Sequence, residues 1–131
     1  MKKLRTVKLL ICPGLLAVGA LTFQWKAVAD SNEDTIKELM KTYHKAPKGV
    51  DPICKKAVDG QASPEEIKKL VECYKALAAT KPPKGDAVSW KEKTTKLLAA
   101  SQGLEKGTPD ARAVYKEALN CKGCHSAHKP D

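Results

Sequence analysis

The chain has 131 residues with 24 basic and 15 acidic side chains, a formal net charge of +9 at pH 7 and few aromatic residues. This length suits a single domain. Residues 1–29 contain five of the basic residues and no acidic ones, so residues 30–131 carry a net charge of +4. In this part lysines alternate with acidic residues and stacking aromatics are scarce, which argues against nucleic-acid binding.

The first 29 residues have the pattern of a secretory signal peptide. A basic segment, 2–8, precedes a mostly apolar run, 9–23, and Ala27-Val28-Ala29 matches the small-x-small cleavage pattern. The apolar run is shorter than the roughly 20 residues that a membrane-spanning helix needs. We expect cleavage after Ala29 and a mature domain, 30–131, in the periplasm or an equivalent exported space with no membrane contact. An uncleaved leader would instead anchor the chain in a membrane.

Helical periodicity follows, with no convincing strand pattern. Apolar positions repeat every three or four residues in five segments, 35–46, 52–58, 63–80, 89–102 and 108–125. The start of the third helical segment is the clearest, because Ser63 is a preferred N-cap and Pro64 a preferred first helical residue. In the last segment five residues are spaced to share one face, Ala111, Val114, Ala118, Cys121 and His125. We expect an all-α fold, an antiparallel four-helix bundle with one extra short helix.

The segment Cys121-Lys122-Gly123-Cys124-His125 has the spacing of a c-type haem attachment motif. Two thiols three residues apart on a helix can each add to one haem vinyl group, and His125 lies one turn after Cys121. The motif predicts one haem c on the C-terminal helix, bound covalently through Cys121 and Cys124, with His125 as the proximal iron ligand. Zinc held by Cys121, Cys124 and His128 is an alternative, although a structural zinc site normally has four ligands.

The second axial ligand must come from another helix, because it approaches the opposite side of the ring. The candidates are Met40 and His44, one turn apart on the first predicted helix, and an open sixth position is the third alternative. We favour Met40 as the distal ligand, which would make it an iron ligand together with His125. A thioether ligand raises the reduction potential relative to paired histidines.

Two further cysteines, Cys54 and Cys73, flank the turn at Asp59-Gly60. In an oxidising compartment such a pair suggests a disulfide. The alternative is that both are small buried apolar side chains.

A Cys-x-x-Cys-His motif close to the C-terminus of a helical chain resembles the class II cytochromes c, the four-helix family that includes cytochrome c prime. In low-spin members of that family a methionine of the first helix is the sixth ligand, and Leu39-Met40-Lys41 looks like that segment. The resemblance implies His125 and Met40 as the axial pair and Cys121 and Cys124 as the thioether residues. Members of this family are often dimers, so a homodimer is a further expectation.

These features together predict an exported mono-haem electron carrier rather than an enzyme. The first alternative is a gas-binding or gas-sensing cytochrome with an open sixth position, and the second is a haem-free structural or zinc-binding helical module. Redox partner proteins with acidic docking surfaces are expected, because lysines near the motif could form a docking patch. These lysines are Lys41, Lys45, Lys116, Lys122 and Lys129.

Overall fold

The computed structural model describes the backbone of residues 26–131 and the side chains of residues 32–131. All regular structure in that range is helical. The helices are α1 (Lys26–Tyr43), α2 (Ile53–Asp59), α3 (Pro64–Ala78), α4 (Ala87–Lys106), α5 (Ala111–Ala118) and α6 (Cys121–His128). The predicted all-α class is therefore confirmed. Of the predicted signal peptide, residues 1–25 lie outside the described residues, and Lys26 to Ala29 form the start of α1.

The start of α3 follows from its sequence. Ser63 accepts a hydrogen bond from the Glu66 amide at 3.2 Å, and Glu66 accepts one from the Ser63 amide at 2.9 Å. This reciprocal capping box satisfies two amide groups at the helix start, and Pro64 provides the first helical residue. The predicted helix start is confirmed.

The first predicted helix has the expected inward face but different ends. Ile36, Leu39, Met40 and Tyr43 are half-buried and pack against the core. The helix begins at Lys26 rather than at residue 35 and ends at Tyr43 rather than at residue 46. Pro47 restricts the backbone of the residue before it, so the last predicted turn does not form.

The last predicted helix, 108–125, is not continuous in the structure. It consists of α5 and α6, which are separated by Leu119 and Asn120. The backbone of Leu119 leaves the helical region, with ψ at 51°, and the Asn120 side chain accepts a hydrogen bond from the Gly123 amide to cap a new helix. The shared inward face is consequently wrong as well: Ala111 and Tyr115 are buried, whereas Val114 is 49% exposed.

The core lies between α2, α3, α4 and α5. Its fully or nearly fully buried members include Leu70, Tyr74 and Leu77 of α3, Trp90 of α4 and Tyr115 of α5. The Tyr74 and Tyr115 hydroxyl groups are 2.6 Å apart and form a buried hydrogen bond. Burial raises the pKa of both tyrosines, so both remain neutral. Within residues 26–131 no helix is long and apolar enough to cross a bilayer.

The buried tyrosine pair gives a stability prediction. Tyr115→Phe leaves the Tyr74 hydroxyl without its partner in the core, which should lower the free energy of unfolding by about 1–3 kcal/mol. The double change Tyr74→Phe with Tyr115→Phe should cost less than the sum of the two single changes, because no orphaned hydroxyl remains. Urea unfolding followed by circular dichroism measures both effects. Strict additivity of the single changes would contradict the interaction.

Candidate haem-binding site

The attachment motif opens α6 rather than ending a longer helix. Cys121 is the first helical residue, directly after the Asn120 cap, and its side chain is exposed. Cys124 is half-buried and His125 is exposed. Residues three and four apart on a helix share a face, so the two thiols and the His125 imidazole lie along one side of this short helix. The expected geometry of the motif is present locally, even though the surrounding helix is different.

Glycine at position 123 has a local reason. A Cβ atom at Gly123 would collide with the side chain of Asn120, which folds over this position to cap α6. The cap and the glycine therefore belong together. A preferred N-cap residue directly before Cys121 is the sequence signal that could have placed the helix start correctly.

A crevice of about 670 Å³ lies beside the motif. Its lining includes Cys124 and His125 of α6 and Met40 and Ile36 of α1. Its volume falls in the range of about 300–1,000 Å³ that is typical of small-molecule and cofactor sites. The structure thus brings together three of the four predicted haem residues, Cys124, His125 and Met40. The fourth, Cys121, lies one turn before His125 outside the crevice lining.

The remaining lining of the crevice is apolar at its base and basic at its rim. Leu77 and Trp90, both buried, belong to the core and form apolar wall. Four lysines also line the crevice, Lys37, Lys41, Lys45 and Lys129, together with two acidic residues, Glu33 and Asp131. Glu33 pairs with Lys37, and Asp131 pairs with Lys84. Of the lysines predicted as a docking patch, Lys41, Lys45 and Lys129 are at this rim, whereas Lys116 and Lys122 are exposed elsewhere.

His44 lies one turn beyond Met40, and its backbone amide donates to the Met40 carbonyl at 3.1 Å. Its imidazole packs against the Tyr74 ring with 5.6 Å between centroids. The Nε2 atom is buried and has no hydrogen-bond partner. Burial, and to a smaller extent the positive charge of His125, lower the pKa of His44 to about 4. The His44 imidazole is therefore neutral at physiological pH.

His128 has a structural role. It is 2% exposed, its Nδ1 lies 3.0 Å from the Lys84 carbonyl oxygen, and its Nε2 lies 3.2 Å from the Ser89 hydroxyl. Its ring meets Trp90 edge to face at 5.3 Å. Gly85 permits the close approach of α6 to the α3–α4 connection, because a Cβ atom at this position would collide with the Ala127 carbonyl. His128 thus fixes the end of α6 against the α3–α4 connection.

This placement disfavours zinc as the occupant of the motif. Both ring nitrogens of His128 are committed to hydrogen bonds, so this residue is not free to complete a site with Cys121 and Cys124. In the part of the chain whose side chains are described, no group of three or more histidine, cysteine or acidic residues is arranged to hold a metal ion. Sequence reasoning missed this role of His128, because its partners are 39 and 44 residues away.

Cys54 and Cys73 are both buried in the core cluster, as free thiols. Burial raises the pKa of Cys73 to about 12, with a further contribution from Cys54. The pKa of Cys54 is also raised, mainly by burial and then by Cys121. The two thiols are thus close neighbours of low reactivity, and the Cys54–Cys73 disulfide remains a prediction.

Comparison of this chain with models of protein families, with curated proteins and with solved structures yields no significant match.

The contacts of His128 predict how α6 is stabilised. His128→Ala removes two buried hydrogen bonds and the Trp90 contact, so the free energy of unfolding should fall by about 1–3 kcal/mol. Ser89→Ala removes only the Nε2 partner and should cost less. Urea unfolding of the two variants gives the comparison, and hydrogen exchange should show faster exchange of the α6 amides in His128→Ala. Wild-type stability in His128→Ala would contradict this role.

Proposed function

We propose that this protein is an exported c-type cytochrome that carries single electrons on one covalently bound haem. The observation that carries the proposal is that Cys124 and His125 of the motif line a crevice of about 670 Å³ together with residues of α1. Cys-x-x-Cys-His is the attachment motif of c-type haem. Here it borders a cavity whose size suits a cofactor.

The arrangement of helices is compatible with the class II resemblance. We assign α1, α3, α4 and the α5–α6 pair to the four main helices of an antiparallel bundle, with α2 as the extra short helix. The α3–α4 and α4–α5 contacts are the most extensive, and α1 packs on α3. Short connections between consecutive helices favour antiparallel neighbours.

The residues around the crevice fit haem in three respects. Leu77 and Trp90 provide apolar surface for the ring. The Nε2 atom of His44, one turn beyond Met40 of the crevice lining, is buried and has no hydrogen-bond partner, so it is available to bind a metal ion. The lysines of the rim would neutralise the two propionate groups, which are the anionic edge of haem.

The roles of the motif residues follow from their chemistry. Cys121 and Cys124 would hold haem through thioether bonds, because each thiol can add across one vinyl group, with the thiol hydrogen passing to the neighbouring vinyl carbon and no oxidant needed. His125 would bind the iron through an imidazole nitrogen. When bound, haem supplies one-electron chemistry between the ferrous and ferric states. The apolar walls exclude water and so help to set the potential.

Surface access and export complete the proposal. The start of α6 at Cys121 is exposed, so this end of the site lies at the protein surface, where a redox partner can approach. The leader pattern of residues 1–29 supports an exported location, where covalent attachment and a Cys54–Cys73 disulfide are both compatible with the redox conditions. A redox partner with an acidic surface would match the basic rim.

Covalent haem is the first test. The chain is co-expressed with a cytochrome c maturation system, and covalent haem is measured by the pyridine haemochrome spectrum after denaturation and acid–acetone extraction. We expect one haem per chain in the wild type and none in Cys121→Ala with Cys124→Ala. The matched control, Cys54→Ala with Cys73→Ala, removes the same number of thiols from the core and should retain the haem. A wild type without covalent haem would rule out the proposal.

The basic rim gives a second test. Lys41→Glu with Lys45→Glu reverses two charges at the crevice, so oxidation of the ferrous protein by the anion hexacyanoferrate(III) should slow by about tenfold or more at low ionic strength. Added salt should reduce the difference. Stopped-flow absorbance measures the rate. The control, Lys68→Glu with Lys106→Glu, has the same net charge and should change the rate much less. Equal slowing in the two variants would contradict a localised patch.

A further inference from the structure

The described side chains, residues 32–131, contain one buried polar atom that has no hydrogen-bond partner, Nε2 of His44. Buried polar groups in folded proteins are almost always paired, and an unpaired one requires an explanation such as a bound water, ion or ligand. The buried histidine His128, by contrast, uses both of its ring nitrogens. His44 is half-buried, and it lies between Met40 and Lys45, which line the crevice of the attachment motif.

We propose that His44, through Nε2, is the second axial ligand of the haem iron opposite His125, and that Met40 packs against the ring without binding the iron. This assignment rests on the proposed function. It replaces the His125–Met40 pair that the family resemblance implies by a pair of histidines.

The position of His44 is well defined. The Tyr74 ring supports its imidazole at 5.6 Å, and Tyr74 is itself held by the 2.6 Å hydrogen bond to Tyr115. His44 also lies close to the crevice, because Met40, one turn before it, and Lys45, directly after it, both line the crevice. A preoriented imidazole with a buried, unpartnered nitrogen is the arrangement that a metal ion would satisfy.

Met40, unlike His44, has no buried polar atom that lacks a hydrogen-bond partner. Its side chain is half-buried and packs with the apolar residues around the core. A thioether sulfur is a weak hydrogen-bond acceptor that needs no partner when it is buried. Packing alone therefore accounts for Met40, whereas packing alone leaves the Nε2 atom of His44 unsatisfied.

Ligation by two histidines has measurable consequences. The ferric protein should be low-spin and should lack the weak charge-transfer absorption of a methionine-sulfur–iron bond. Its reduction potential should be lower than that of a His/Met site, because a thioether ligand raises the potential. Both axial positions would be filled by imidazole, so a gaseous ligand would bind only by displacing one of them.

The experiment uses the full-length holoprotein and three variants, His44→Gly, His44→Met and Met40→Leu. In His44→Gly the ferric electron paramagnetic resonance spectrum should change from low-spin to high-spin, and added imidazole should restore the low-spin signal. In His44→Met the potential should rise and the methionine charge-transfer absorption should appear. Met40→Leu conserves volume and should remain low-spin with the wild-type spectrum.

The pyridine haemochrome spectrum of each protein separates this inference from the proposed function, because covalent attachment does not depend on the sixth ligand. A wild type without covalent haem overturns both. Covalent haem with a methionine charge-transfer band in the wild type overturns the His44 assignment alone. The same holds for a Met40→Leu variant that becomes high-spin, or for a His44→Gly variant that stays low-spin without imidazole.

Discussion

The arrangement of α1, α3 and α5 depends on the contacts that the Tyr74 side chain makes with Tyr115 and His44. Tyr74 is fully buried in α3, its hydroxyl meets that of Tyr115 in α5 at 2.6 Å, and its ring supports His44 just after α1. One side chain thereby joins three segments that are far apart in the sequence. Because an unpaired buried hydroxyl is costly, the tyrosine pair restricts the spacing of α3 and α5. The same restriction gives His44 a rigid surface to lie on.

The core is packed unevenly, and the crevice lies where fewer side chains are fully buried. Buried side chains concentrate between α2, α3, α4 and α5, whereas the residues of α1 that face the core are only half-buried. The crevice of about 670 Å³ opens between α1 and α6 on the less densely packed side. Protein interiors normally contain few voids larger than a water molecule. A crevice of this size beside Leu77 and Trp90 has room for the ring that we propose, and a covalently attached ring would strengthen a small domain.

The sequence predicted features that depend on neighbouring residues and missed those that depend on distant ones. The start of α3 follows from Ser63, Pro64 and Glu66, which interact within one turn. The break between α5 and α6 was missed because Leu119 and Asn120 are both tolerated inside helices. The role of His128 was also missed, since it depends on Lys84 and Ser89, which no local pattern connects to it. The motif cysteines and His125 could be chosen from spacing alone, but their partner across the crevice could not.

The choice between Met40 and His44 shows how a distant contact determines the chemistry of the site. The two residues are four positions apart, which separates them by about 6 Å along a helix axis, so one iron position suits only one of them. The position of His125 depends on how α6 packs. His128 fixes the end of α6 against the Lys84 carbonyl, where Gly85 allows the two segments to approach closely. The hydrogen bonds of His128 thus hold the segment of α6 that carries His125. Of the two candidates, His44 is the residue whose buried nitrogen lacks a partner.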